Sequence, residues 1–285
     1  MGAAAALQER PHLQQRHRAA LAATRLKEGP PWPGGRVARL AAMDELRLAR
    51  SRSFSRVADA YERARPGYPE DAVEWLVGAE PCRVVDVGAG TGKLTRQLAA
   101  LGHEATAVEP SAEMLAQLRA AMPDLRAVVA SAEAIPLPDR SADAVVAAQA
   151  FHWFEPVASL REIARILRPR GRLGLIWNMR DDRVAWVAQL SELLGADGLG
   201  AGWPDAAITT SGRFGPLERE TFAFEQTVDR ETLQDLVASR SFTATREPDE
   251  RTRLLEQVGA LHDEHAVGGE LVLPYVTLAF RARRR

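Results

Sequence analysis

The 285-residue chain is long enough for one large α/β domain with decorations or for two small domains, and its 46% hydrophobic content supplies a substantial core. With 37 basic against 38 acidic residues the net charge is −1, which removes any whole-protein electrostatic reason to expect nucleic acid or an anionic membrane as a partner. A lone cysteine, Cys82, excludes an intramolecular disulfide and a multi-cysteine zinc site, and no stretch is apolar for long enough to cross a bilayer, so a cytoplasmic, reducing compartment is expected.

Residues 1–42 differ from the rest. Arg10, Arg16, Arg18, Arg25, Lys27, Arg36 and Arg39 stand against only Glu9 and Glu28, and the "GPPWPGG" cluster breaks any helix, so the segment is expected to be a flexible or weakly helical leader, which the functional chain need not include. From Pro81 onward strands and helices alternate. "CRVVDVG" reads as a buried parallel strand stopped by glycine, and "TGKLTRQLAALG" as a helix with Leu94, Leu98 and Leu101 on one face. "EATAVE" is the second strand, and Ser111 caps a helix whose inward face holds Met114, Leu115 and Leu118. "LRAVVA" and "ADAVVAAQA" make strands three and four.

Leu160, Ile163, Ala164 and Leu167 then recur at helical spacing until Pro169 and Gly171 end the helix, and "GRLGLIW" is strand five. Helices are expected over 183–194, 230–240 and 248–265, a flexible crossing over "GADGLGAGWPD", and strands at "ETFAFEQTV" and "ELVLPYVTLAF", where Pro274 marks a bulge or an edge. The alternation predicts a parallel sheet with helices on both faces, whose ligands bind at the carboxyl ends of the strands. His262 and His265 do not form H-E-x-x-H and no third ligand is evident, so no metal is expected and both belong to a solvated helix end. The basic "RARRR" terminus is expected to be solvated.

The chemistry concentrates at Asp86-Val87-Gly88-Ala89-Gly90-Thr91-Gly92. Alternate glycines let the backbone pass close to a ligand and turn sharply into a helix. The spacing is G-x-G-x-G, one residue short of the G-x-G-x-x-G dinucleotide fingerprint, which disfavours a nicotinamide-dependent oxidoreductase. Glu109 ends the second strand, where a carboxylate can accept hydrogen bonds from ribose hydroxyls.

Taken with "AVEPSAEML", "AEAIPLPDRSADAVVAAQAFHWF" and "LREIARILRPRGRL", the segment "VVDVGAGTGKLT" resembles the class I S-adenosylmethionine-dependent methyltransferases, particularly the small-molecule, trans-aconitate methyltransferase-like branch. The resemblance implies a Rossmann-like methyltransferase fold: a seven-stranded, mostly parallel sheet with helices on both faces and an antiparallel strand near the C-terminus. It implies lid helices over 43–80, a cofactor-binding core over 81–178, and a substrate-covering region over 179–285 that completes the same domain.

S-adenosylmethionine is the implied cofactor. Asp86, Gly88, Ala89 and Gly90 would cradle its methionine portion, Glu109 would hold the ribose, and Pro110 and Met114 would flank the adenine. Ser131, which stands where many relatives carry Asp, would meet the adenine edge with Ala132 and Glu133. Gln149 would lie beneath the sulfonium, and Tyr61 and Arg65 would close over the cofactor.

"AQAFHWFEP" follows the fourth strand, so Phe151, His152, Trp153 and Trp177 are expected around a small-molecule acceptor. His152 is open to three readings: a general base for a hydroxyl, a group that orients a carboxylate, or a brace between strand and helix. The absence of an Asn-Pro-Pro-aromatic motif counts against methylation of a nucleobase. A methyl acceptor oxygen is favoured over carbon or nitrogen, and a non-catalytic cofactor-binding protein is the alternative of a different class.

Overall fold

A computed structural model describes residues 65–195, 204–240, 243 and 246–285; the 1–42 leader, Tyr61 and most of the "GADGLGAGWPD" crossing lie outside them. The described elements are α1 (Glu70–Val77), β1 (Arg83–Val87), α2 (Lys93–Ala100), β2 (Glu104–Glu109), α3 (Ala112–Ala121), β3 (Arg126–Val129) and β4 (Ala142–Ala148). A 3-10 turn (Phe151–Trp153), α4 (Pro156–Ile166), β5 (Leu167–Arg180), α5 (Ala185–Leu194), α6 (Asp205–Thr210), β6 (Glu218–Val228), α7 (Arg230–Ala238), α8 (Pro248–His265) and β7 (Leu271–Arg283) follow.

The strands form one seven-stranded sheet in the order β3-β2-β1-β4-β5-β7-β6. β1, β2, β3, β4 and β5 pair in parallel, and β7 runs antiparallel to both β5 and β6. This is the expected Rossmann-like methyltransferase architecture. After β1 the chain winds outward to β3 and returns to β4 on the other side, leaving a topological switch point and a crevice beyond the ends of β1 and β4.

The period-two alternation of β1 explains how it is buried on both faces. Val85 and Val87 join a core with Leu160, Ile163 and Ala164 of α4, whereas Val84 packs with Val73 and Leu76 of α1 and Leu94 and Leu98 of α2. Asp86, two residues from Val84, therefore points to the face covered by α1 and α2. A further core joins α5, α7 and α8 to one end of β6 and β7 through Leu190, Leu233, Val258 and Leu273. At the opposite end of the strands from the crevice, Asp143 ties β1 to β5 by accepting from the Arg83 amide at 3.0 Å and from Arg168 Nη1 at 2.6 Å. Among the described residues no helix is long and apolar enough to cross a membrane.

Four expectations change. α4 stops at Ile166, and β5 already begins at Leu167; Ala142 pairs with Leu167 and Ala144 with Arg172, so the four residues Arg168-Pro169-Arg170-Gly171 stand opposite Asp143 alone as a bulge within the strand, with Arg170 at φ 63°. Pro274 breaks no register with β6, and β7 is not the sheet edge. Its carbonyl accepts from the Asp181 amide at 3.0 Å on the β5 side, one residue past the last β5–β7 pair, Arg180–Tyr275, so its missing N–H falls where the ladder has ended. The basic terminus is held in the sheet rather than solvated: Arg281 bonds Glu218 at 2.7 Å and lies 4.2 Å from the Trp75 ring centroid, and β7 runs on to Arg283. His262 is buried, because α8 turns Leu254, Val258, Leu261 and His262 toward α5 and α7.

Candidate active site

The turn after β1 is held in shape by β2. The amides of Gly88 and Ala89 both donate to the Val108 carbonyl, at 2.8 and 3.2 Å, which leaves the rest of the turn free to bend into α2. Two of its glycines are needed for different reasons. At Gly92 (φ 86°) a Cβ would stand 2.2 Å from Leu118 Cδ1, so helix α3 packs where a side chain would otherwise be. At Gly90 (φ 59°) the nearest atom to a Cβ among the described residues would be Met114 Sδ at 3.9 Å, so no described residue crowds the space above it. Gly92 is a packing glycine, whereas Gly90 presents bare backbone to an open volume.

Two buried carboxylates lie near this turn, and Glu109 is bonded to the Gly90 amide itself. Asp86 is 1% exposed; its Oδ2 accepts from Thr95 Oγ1 at 2.6 Å, and its Oδ1 is enclosed without a hydrogen-bond partner. Burial raises its pKa from 3.8 to about 7, the Thr95 hydroxyl opposes the rise, and the nearby Glu109 adds to it. Glu109 also sits above its usual range through burial, held down in part by the Ser111 and Gly90 amides, which donate to Oε1 and Oε2 at 2.9 Å each. A buried carboxylate oxygen without a donor is costly and calls for a cationic or N–H-bearing ligand.

Ser111 links this acid to α3, because its Oγ accepts from the Met114 amide at 3.2 Å as the N-cap. Ser111→Ala is expected to lower stability by about 1 kcal/mol, read from denaturant unfolding. A change under ~0.3 kcal/mol would show that the cap is not needed.

The end of β4 closes the other side. Gln149 adopts φ 55°, uncommon for a residue with a side chain, and is fixed by its amide donating to the Ile176 carbonyl at 2.9 Å and by Nε2 donating to the Asn178 carbonyl at 3.1 Å. The turn that follows packs onto the glycines: a Cβ on Gly88 would lie 2.6 Å from Ala150 Cβ and 3.4 Å from the Phe154 ring. His152 Nδ1 receives the Trp177 indole N–H at 3.4 Å. Because an indole nitrogen only donates, a neutral imidazole in this pairing carries its proton on Nε2.

The structure thus gathers Asp86, Gly88, Ala89, Gly90, Glu109, Met114 and Gln149 around the crevice. Pro110 is exposed beside it, and Ser131 sits in the turn after β3. Ala132, Phe151 and Trp177 are core side chains at 4%, 5% and 3% exposure, and Trp153 lies against the His152 ring at 4.8 Å. Glu133 Oε1 accepts from the Glu155 amide at 2.8 Å. The Arg65 side chain reaches Ser239 Oγ at 3.5 Å, while its carbonyl accepts from Lys93 Nζ.

Three contributors were not visible in the sequence. Thr95 could have been found as a hydroxyl on the inward face that also holds Leu94 and Leu98. Phe154 gave no signal beyond its place in an aromatic run. Asn178 gave none, because it acts through three distant partners: Gln149, Gly67 and Thr277.

The chain belongs to the methyltransferase family. A methyltransferase-domain family model matches residues 85–175, from β1 into β5. An uncharacterized methyltransferase of Mycobacterium tuberculosis is 45% identical over 238 residues, covering 81% of this chain and 96% of its own. An uncharacterized methyltransferase-like protein of Schizosaccharomyces pombe is 36% identical over 240 residues, covering 80% and 93%. Among solved structures, a putative type II methyltransferase from Anaeromyxobacter dehalogenans shares the fold with a TM-score of 0.58 at 24% identity, covering 77% of this chain and 97% of its own.

Proposed function

We propose that this chain is an S-adenosylmethionine-dependent methyltransferase that methylates an oxygen of a small-molecule acceptor. The observation that carries the reading is the uncrowded backbone of Gly90, whose amide is bonded to Glu109, in the same turn as the buried Asp86 with its donorless Oδ1. These residues fit the methionine and ribose portions of S-adenosylmethionine: Asp86 suits the ammonium, the bare Gly90 backbone permits close approach, and Glu109 suits the ribose hydroxyls. When bound, the cofactor supplies a methyl group already activated by a sulfonium.

The chain's own residues then have a positioning task, and correct alignment of two reactants can be worth about 7–11 kcal/mol. Gln149, locked in its left-handed conformation, fixes the floor at the end of β4. His152, held by Trp177 just after β4, is assigned the orienting of an acceptor oxygen. That role suits a carboxylate, which needs no base. An oxygen acceptor is supported further by a partial relative, a malonyl-[acyl-carrier protein] O-methyltransferase of Methylococcus capsulatus, 36% identical over 122 residues, 39% of this chain and 44% of its own.

Incubation with methyl-labelled S-adenosylmethionine and a panel of small organic acids, alcohols and amines tests the reading. Label is expected in an acid, recoverable as methanol after mild alkaline hydrolysis; base-stable label confined to amines would refute the oxygen assignment. For His152→Ala, turnover is expected to fall at least tenfold with S-adenosylhomocysteine affinity held within twofold. Unchanged turnover would leave His152 as a brace.

A further inference from the structure

Just past β7 the chain is tied to the start of β5. The Arg284 amide donates to the Gly171 carbonyl at 2.8 Å, and the Arg284 guanidinium reaches the Leu167 carbonyl. The next amide, that of Arg285, donates to the Arg213 carbonyl at 2.9 Å, and the Gly215 amide donates back to the Arg283 carbonyl at 2.8 Å. Phe214, between Arg213 and Gly215, is 1% exposed and lies in the core with Ile163 and Ala164 of α4. The turn after α6, the end of β7 and the last turns of α4 are thereby fixed against one another, at the end of the strands opposite the crevice.

A cleft of about 620 Å³ opens between these three segments. That size suits a small solute rather than a macromolecule. It is lined by Arg161, Arg165, Arg213, Arg284 and Arg285, by Glu162, and otherwise only by an alanine and a glycine. Arg165 and Arg284 belong to the wall. Arg165 bonds Glu162 through Nε and Nη2 at 3.1 and 2.9 Å and Asp139 through Nη1 at 2.8 Å, and it also reaches the carbonyls of Ile135 and Leu137. Glu162, the one acid in the lining, is taken up by Arg165 on both oxygens and by the Ile135 amide at 3.2 Å.

Arg161, Arg213 and Arg285 differ. All three are exposed, and among the described residues their side chains make no hydrogen bond or ion pair, apart from the through-space pull of Arg161 on Glu162. Three separate stretches of chain therefore bring like charges to one concavity whose only acid is already engaged. Such charges repel one another unless an anion enters between them.

The lining also selects the anion. A carboxylate offers two oxygens to a single guanidinium fork, whereas a chain of phosphates can meet several forks at once. No aromatic side chain lines the cleft, so nothing there can stack on a base.

We propose that this cleft is a binding site for a small oligophosphate, held by Arg161, Arg213 and Arg285 through its phosphate groups alone. It stands at the opposite end of the strands from Asp86 and Gly90, so it does not rest on the methyl-transfer reading. Its ligand is neither the methyl donor nor the acceptor.

Calorimetry on the full chain at physiological ionic strength, with inorganic triphosphate, ATP, citrate and a short oligouridylate as probes, tests this. Triphosphate is expected to bind saturably, ATP within threefold of it, and citrate at least tenfold more weakly. Arg161→Gln, Arg213→Gln and Arg285→Gln are each expected to weaken triphosphate at least threefold, and the triple variant at least thirtyfold. None of these side chains holds another described residue, so the triple variant should unfold at the wild-type temperature or above and bind S-adenosylhomocysteine as the wild type does. Arg253→Gln, which removes an exposed arginine of α8 outside the cleft, should leave triphosphate affinity unchanged. No triphosphate binding to the wild type, or an equal loss in Arg253→Gln and the cleft variants, overturns the site. ATP bound at least tenfold more tightly than triphosphate overturns recognition through phosphate alone, and citrate bound as tightly as triphosphate overturns the choice of anion. Oligouridylate bound more tightly than triphosphate, with the same dependence on the three arginines, overturns the small ligand in favour of nucleic acid.

Discussion

Gly92→Ala is expected to destabilise the domain by about 2–5 kcal/mol, whereas Gly90→Ala, two residues away in the same turn, leaves it folded and removes ligand binding. Both positions lie in the left-handed region, at φ 86° and 59°, so any side chain there carries roughly 1–2 kcal/mol of backbone strain. What differs is the space. A Cβ on Gly92 would stand 2.2 Å from Leu118 Cδ1 and 3.0 Å from both Cδ2 and Cγ. Leu118 cannot swing aside cheaply, because it is fully buried with Leu115 against Ala107. Overpacking of that kind adds about 1–3 kcal/mol.

On Gly90 the added methyl meets no atom of the described residues closer than 3.9 Å and projects into the volume assigned to the ligand. Thermal unfolding should therefore fall by roughly 5–15 °C for Gly92→Ala and by only a few degrees for Gly90→Ala. S-adenosylhomocysteine affinity should fall at least tenfold for Gly90→Ala. Equal unfolding temperatures would contradict the packing role of Gly92, and unchanged affinity in Gly90→Ala would contradict the ligand face.

Asp86→Asn should make the ligand-free protein more stable and less able to bind. The folded pKa of about 7 lies above the ordinary 3.8, so folding favours the protonated acid. The stabilising share of that preference is complete below about pH 4 and is lost as pH rises through about 7, leaving a buried charge that costs a few kcal/mol at pH 8. Asparagine can still accept from Thr95 but never ionises. The variant and wild type should accordingly unfold alike near pH 4, with the variant gaining up to a few kcal/mol by pH 8.

Ligand affinity should move the other way. A cationic amine prefers the ionised aspartate, so wild-type affinity should rise with pH up to about 7 and then level off. The Asp86→Asn affinity should be at least tenfold weaker and independent of this ionisation. A pH-independent wild-type affinity would remove Asp86 from contact with the ligand.

How much of this could be read from the chain follows from how local each signal is. Short runs of small and β-branched residues and long runs at helical spacing are local signals, so "EATAVE" coincides with β2, Glu104–Glu109, and the helix expected over 248–265 is α8. The bulge at Pro169-Arg170-Gly171 was misread as a helix end and a fresh strand, because proline and glycine punctuate both kinds of break in the same way. The basic terminus was misjudged because composition does not reveal that β7 lies between β5 and β6, where Arg281 meets Glu218 and Trp75.

Asp86, Gly90 and Glu109 were legible from their places at strand ends and in the turn. Thr95 and Asn178 were not, since each gains its role from a partner on another element: Asp86 and Gln149 respectively. Pairings across a sheet leave no mark in a single sequence.

Calorimetric titration of the wild-type chain with S-adenosylhomocysteine at pH 8 tests the central claim most directly. Saturable binding of one molecule per chain, weakened at least tenfold by Gly90→Ala, is the result predicted by a cofactor seated above Gly90 between Asp86 and Glu109. Absence of binding to the folded wild-type protein, or binding that Gly90→Ala leaves intact, would contradict it.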